Sequence, residues 1–275
     1  MPATDDLCDD LEAERASLDA VVAPLAAEEW MTPTPAVGFD VRDTVSHLCF
    51  FDEQATLAIL DPAAFEAHKT SLIATMLEGK GDAPDVAIGR SLSAQAGSER
   101  MLLQRWLASR RAFDAAARRA AATPEGPPRI AWYGPPMSLA SFVSARIMET
   151  WAHGVDIRDA VRASLDTANT DRLRHVCHLG YAARGFTFAV HGVSDPGDPV
   201  AMVVEAPDGT TWSWGPPVTE TDDQITGTAL EVALVFTQRR HPSRTKVRAT
   251  GATAQLWLSI AQAFAGPPTI AVEGR

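Results

Sequence analysis

Apolar positions recur at helical spacing through roughly the first 160 residues, then give way to short alternating runs, so two kinds of architecture share the chain. From Thr4 to about Ala23, Leu7, Leu11, Leu18, Val21 and Val22 fall on one helical face. Asp5 and Asp6 occupy its first turn, where the helix dipole favours anions. Glu14 interrupts the apolar stripe, and Pro24 ends or kinks the helix. After the break Thr32-Pro-Thr-Pro-Ala-Val-Gly38, Asp40 caps a second helix that carries Asp43 in its first turn and runs through His47 to about Leu60. Asp61-Pro62 opens a connection, a further helical region spans Pro62 to Glu78, and Gly79-Lys-Gly-Asp-Ala-Pro84 reads as an exposed loop. Ser91 to Ala122 reads as one long Ala/Arg/Leu-rich helix, with Met101, Leu102, Trp106, Leu107 and Phe113 buried, stopping before Thr123-Pro-Glu-Gly-Pro-Pro128. Ser138 then starts a helix with Phe142, Ala145, Met148 and Ala152 along it. Four main helices predict an up-and-down bundle over residues 1–162, and inward-facing side chains on different helices are where bundles build metal sites.

Beyond Arg162 the pattern predicts a small α+β domain over residues 163–275. Asn169 to His191 is helical; Val200–Glu205 and Thr210–Trp214 are strand-like, separated by Ala206-Pro-Asp-Gly209, a hairpin signal built on Asp-Gly. A strand over Gln224–Thr228, a helix over Ala229–Arg239, a strand over Thr245–Thr250 and a last helix from Ala252 to Ala265, ended by Gly266-Pro-Pro268, complete it.

Composition narrows the function classes. With 275 residues, 46% of them hydrophobic, the chain can bury one large or two modest cores. A net charge of −11 repels nucleic acid and anionic membranes. The acidic start Met-Pro-Ala-Thr-Asp-Asp has no apolar leader, and no run is long enough to span a bilayer, so a cytoplasmic protein is expected. Cys8, Cys49 and Cys177 lack paired spacing and are expected as reduced thiols rather than a disulfide framework.

The chemistry concentrates in Glu149-Thr-Trp-Ala-His153. Glu and His four residues apart on a helix project from one face with their ligating ends side by side. A solvated or salt-bridged pair is the commoner meaning of that spacing. His47, on a helix whose Val41, Val45 and Leu48 turn it toward a core, is the candidate third ligand, and three N/O ligands leave a divalent cation one open position. A ligating His is held by a partner on its other ring nitrogen. Asp156, a turn after His153, and Asp52, rather more than a turn after His47, are the available carboxylates, either of which could equally be an ordinary salt-bridge partner. His175, Cys177 and His178 do not share one helical face and read as core or interface residues. Cys49 points away from the face of His47, and no Ser-His-Asp or Cys-His arrangement is evident, so a small bound thiol is the better nucleophile.

The stretch Trp30-Met-Thr-Pro-Thr-Pro-Ala-Val-Gly-Phe-Asp-Val-Arg-Asp-Thr-Val-Ser-His47, followed about a hundred residues later by Arg146-Ile-Met-Glu-Thr-Trp-Ala-His-Gly-Val-Asp-Ile157, resembles the mycothiol-dependent maleylpyruvate isomerase family, within the DinB-like metal-binding four-helix bundles. The resemblance covers residues 8–162; one departure is Phe39, where these proteins often have Trp. It implies a zinc site at His47, Glu149 and His153, mycothiol as thiol cofactor, and isomerisation, conjugation or thiol transfer on a small electrophilic substrate. The C-terminal half looks like the sterol-carrier-like domain of those isomerases, from which an Arg reaches the site, so Arg239 or Arg240 would steer a substrate carboxylate. The plainer reading is that these arginines sit solvated at a helix C-terminus. Thr237-Gln-Arg-Arg-His241 and Ile260-Ala-Gln-Ala-Phe-Ala-Gly266 also look like an actinobacterial metal-binding group with a wyosine-formation-like C-terminal half. Such bundles often pair, which leaves a homodimer open. Two other classes compete: a metal-hydroxide hydrolase or stress protein of the same fold, and a carrier whose bundle is a scaffold.

Overall fold

The computed structural model describes residues 3–78, 84–123 and 129–273, so the loop expected at 79–84 and the segment 124–128 fall almost wholly outside the described residues. The chain divides into two compact units, Met1–Ser164 and Leu165–Arg275.

The first unit carries α1 (Thr4–Val22), α2 (Val41–Leu60), α3 (Pro62–Glu78), α4 (Pro84–Gln95), α5 (Glu99–Ala121) and α6 (Leu139–Val161). Side-chain caps start the helices where the sequence expects them: Asp40 accepts from the Asp43 N–H at 2.7 Å, and Ser138 accepts from Ser141 N–H at 3.1 Å. One expectation fails. The long helix expected from Ser91 to Ala122 is two helices, because Gly97 adopts φ +73° and Ser98 caps α5 by accepting from Met101 N–H at 3.3 Å. Met101, expected in the core, is 55% exposed, since it lies in the first turn after that break.

Two apolar clusters occupy the bundle. Leu7 and Leu11 of α1, Ala55 and Ala58 of α2, Phe113 and Ala117 of α5, and Phe142 and Ile147 of α6 form one. Leu18 and Val22, Val41 and Val45, Leu102 and Trp106, and Ile157 form the other. Followed along the chain, α1 and α6 run from the first cluster to the second while α2 and α5 run from the second to the first, which gives the two directions of the bundle with α3 and α4 as the crossover between α2 and α5. Between the clusters lies a buried polar layer that includes Glu14, Arg15, Asp52, Ser109, Arg110 and Arg146. Glu14, which broke the apolar stripe of α1, marks where that layer crosses the helix.

The second unit holds α7 (Leu173–Ala182), α8 (Arg184–Val190), β1 (Ala201–Glu205), β2 (Thr211–Trp214), β3 (Gln224–Thr228), α9 (Ala229–Phe236), β4 (Arg248–Thr250) and α10 (Ala252–Ser259). Its sheet has the order β2-β1-β3-β4, with β1 antiparallel to β2, parallel to β3, and β3 antiparallel to β4. Met202, Val204 and Ile225 are buried on the sheet, as are Val232, Val235 and Phe236 on α9 and Trp257 on α10. A Cβ on Gly180 would lie 2.8 Å from Phe236, so only glycine lets α7 approach α9 this closely. Two helices end earlier than expected: α9 stops at Phe236 rather than Arg239, and α10 at Ser259 rather than Ala265. The class is α+β, a helical bundle followed by a small mixed unit.

Candidate metal centre

His47 sits in the second turn of α2, and Glu149 and His153 one turn apart on α6. Val41, Val45 and Leu48 are buried, as are Ile147, Val155 and Ile157, and they orient the two helices so that the three side chains converge. One ligating atom from each lies within 4.8 Å of the others. His153 Nε2 is 3.5 Å from Glu149 Oε2, and the two imidazole rings lie 4.6 Å apart between centroids. A 3.5 Å separation is close to the edge of a tetrahedron built on bonds of about 2.0–2.2 Å, and two imidazoles with one carboxylate make a donor set that catalytic zinc uses with a fourth position open. The residues present therefore fit a divalent cation. His47 is 6% and His153 9% exposed, whereas the Glu149 side chain is 27% exposed, so the cluster opens on the carboxylate side.

Electrostatics keep Glu149 ionised. Burial pushes its carboxyl upward, but the hydrogen bond and charge of His153, with Arg146 and His47 nearby, outweigh this and hold it at about 2. Asp156, fully buried, places Oδ2 3.3 Å from His153 Nδ1, the position from which a carboxylate fixes the ring so that Nε2 faces Glu149.

Asp52 does not serve His47. Its Oδ1 accepts from Arg15 at 3.0 Å and from Arg146 at 3.1 Å, and its Oδ2 from Trp106 Nε1 at 3.2 Å. Burial raises its carboxyl and the two guanidiniums more than reverse this, so it lies below the usual carboxylate range. His47 instead meets two aromatic rings, Phe39 edge-on at 5.6 Å and Phe51 at 4.6 Å. Cys49 is buried and pushed up to about 12, chiefly by burial and then by Glu53, so it is no thiolate nucleophile. Cys8 and Cys177 are likewise free and buried.

Arg239 and Arg240 follow a left-handed residue, Gln238 at φ +59°, in the turn after α9. Arg239 Nη1 donates to Thr237 O at 2.7 Å and Arg240 Nη1 to Arg239 O at 2.7 Å, contacts that belong to a helix C-terminus. Sequence reasoning passed over Phe51, which meets His47, and over Trp132 and Tyr133, which meet Phe51. The dipeptides Phe50-Phe51 and Trp132-Tyr133 were the available signal, but nothing local shows that they meet. Arg146, three residues before Glu149, was also visible but had no assigned partner.

Among the described residues no helix is long and apolar enough to cross a membrane. Two proteins from two strains of Mycobacterium tuberculosis, each described as an uncharacterized protein, are 40% identical over 259 residues, covering 94% of this chain and 95% of theirs. The crystal structure of the mycothiol-dependent maleylpyruvate isomerase superposes with a TM-score of 0.52 at 16% identity, and that of a histidine-to-alanine mutant with 0.53 at 14%. Each match covers 90% of this chain and 95% of the other, which shows a shared fold. Residues 11–158 match the family described as the mycothiol maleylpyruvate isomerase N-terminal domain, and they contain all three converging side chains. With more than half of its length inside that match, the chain belongs to the mycothiol maleylpyruvate isomerase family.

Proposed function

We propose that this protein is a metal-dependent enzyme that uses mycothiol to isomerise, conjugate or transfer a thiol to a small electrophilic substrate. The observation that carries the reading is the convergence of His47, Glu149 and His153 within 4.8 Å inside the segment that defines the family. A zinc ion there would lower the pKa of a bound thiol or water into the neutral range and so supply the nucleophile. A bound cation would take neutral nitrogens from His47 and His153 and a carboxylate from Glu149, whose negative charge would offset one positive charge. Asp156 keeps His153 in the tautomer that offers Nε2. Arg239 or Arg240 binds the substrate carboxylate through its guanidinium fork. Three buried, unpaired thiols fit a reducing compartment, and we place the protein in the cytoplasm.

The test is sequential. Protein purified without added metal is assayed for bound metal, then exchanged with Co2+ and titrated with mycothiol or an analogue. The expected result is about one metal per chain and a sulfur-to-cobalt charge-transfer band on adding thiol. Turnover of an electrophilic unsaturated acid that is unchanged by omitting thiol, with no such band, favours the metal-hydroxide reading instead.

A further inference from the structure

Before α6, residues 130–137 close as a short hairpin that meets the candidate ligand His47 through Phe51. Ile130 and Met137 exchange two backbone hydrogen bonds, 2.8 and 3.0 Å, and the turn between them holds Trp132 and Tyr133. Phe51, one turn after His47 on α2, touches both sides: its ring lies 4.6 Å from His47, 6.0 Å from Trp132 and 5.6 Å from Tyr133. Trp132 is fixed from behind, stacked on Phe65 at 5.6 Å with 4° between the planes, while Lys69 donates to its carbonyl at 3.4 Å.

Trp132 and Tyr133 pack against the edge of the first apolar cluster without being closed over by it. Phe65, Phe113 and Phe142 are at most 1% exposed, whereas Phe51, Trp132 and Tyr133 are each only half-buried. Phe51 belongs to neither apolar cluster of the bundle, and it links a candidate metal ligand to the hairpin. The Tyr133 hydroxyl oxygen is buried, yet it has no hydrogen-bond partner among the described residues. Burial pushes that phenol well above its ordinary range, so it keeps its proton and remains a donor. A buried donor left unpaired is costly, and half-open rings that reach a candidate metal ligand through Phe51 make a surface that a flat ligand would cover. Aromatic faces select planar π systems, because offset stacking and edge contacts add to simple burial.

We propose that Phe51, Trp132 and Tyr133 form a recognition wall for a planar, conjugated small molecule whose oxygens reach the metal centre and accept a hydrogen bond from the Tyr133 hydroxyl. The inference rests on the metal-centre reading above and adds to it the side chains that would tell a conjugated ligand from a saturated one.

Two hydroxamates test it without any thiol. Benzohydroxamate and acetohydroxamate share one bidentate oxygen head and differ in a phenyl against a methyl group. Titrated calorimetrically into zinc-loaded protein, benzohydroxamate should bind about tenfold tighter. Phe51→Leu and Trp132→Leu should erase most of that preference while leaving acetohydroxamate affinity and zinc content unchanged. Tyr133→Phe should weaken both hydroxamates by a similar factor, about fivefold to tenfold, because the oxygen head is common to both. Equal affinities in the unmodified protein, or variants that keep zinc and bind as it does, overturn the wall. A protein that fails to load zinc overturns the metal centre and the wall together. One that shows the hydroxamate pattern but never coordinates thiol overturns the thiol chemistry and leaves the wall standing.

Discussion

Single side chains decide whether a cluster of ligands becomes a centre of defined geometry. His153 Nε2 lies 3.5 Å from Glu149 Oε2 and its Nδ1 3.3 Å from the buried Asp156 carboxylate, so Asp156 is placed to hold the ring in that orientation. Replacing any ligand removes a bond outright, so His47→Ala, Glu149→Ala and His153→Ala should each abolish most metal binding, read as metal-to-protein ratio after dialysis. Full occupancy in the His47→Ala/His153→Ala double variant would remove the centre from this position. Asp156→Asn keeps the volume and removes the charge, so its effect is graded. Metal affinity should fall roughly 10–100-fold in competition with a chelator, the usual cost of losing a carboxylate behind a ligating histidine. An affinity equal to that of the unmodified protein would make Asp156 a packing residue only.

At the scale of elements, the bundle is tied together across its polar layer as much as through its apolar clusters. Asp52 of α2 joins Arg15 of α1, Arg146 of α6 and Trp106 of α5, so one carboxylate contacts three other helices. Asp52→Asn would remove the carboxylate that two buried guanidiniums share, and the cost should be about 3–5 kcal/mol in urea unfolding at pH 7. The sign of its pH dependence follows from a folded-state pKa lowered from the ordinary 3.8. The stabilisation is present above that ordinary value and is lost as pH falls below it toward the folded-state value. The gap between Asp52→Asn and the unmodified protein should therefore narrow when unfolding is repeated near pH 3; a gap that widens contradicts the ion-pair account. Element type was legible where caps and periodicity agreed, as in α2 behind Asp40 and α6 behind Ser138. It was not legible at Gly97, because Ala/Arg/Leu spacing continues through residues 91–122 and the break depends on one left-handed glycine and its neighbouring cap. The early ends of α9 and α10 were hidden for a different reason. Gln238 donates to Ala261 O at 2.9 Å and to Thr269 O at 2.6 Å, while Gln262 receives Thr269 N–H at 3.0 Å, so distant side-chain amides take over where helical bonds stop. The convergence of His47, Glu149 and His153 was legible because the spacing of the last two is local on α6 and the helices are amphipathic. The meeting of Phe51 with Trp132 and Tyr133 was not, since it joins residues about eighty positions apart that no local pattern connects.

For the whole molecule, the three converging side chains of the candidate metal centre all lie within one of two compact units, Met1–Ser164, on α2 and α6. A cation that binds only the folded bundle stabilises that unit by mass action, about 4 kcal/mol when free metal exceeds the dissociation constant a thousandfold. The second unit, Leu165–Arg275, contributes none of the three ligands and gains nothing directly. Scanning calorimetry with and without a chelator should therefore show a transition that moves to lower temperature on metal removal. Trp151, buried and between Glu149 and His153 in sequence, should change its emission over that same transition. If the two units unfold separately, the transition of residues 165–275 stays in place while that of the bundle shifts; if they unfold as one, the single transition shifts as a whole. Apo and metal-loaded protein melting at the same temperature, with Trp151 emission unaltered, would mean that no metal holds these two helices together.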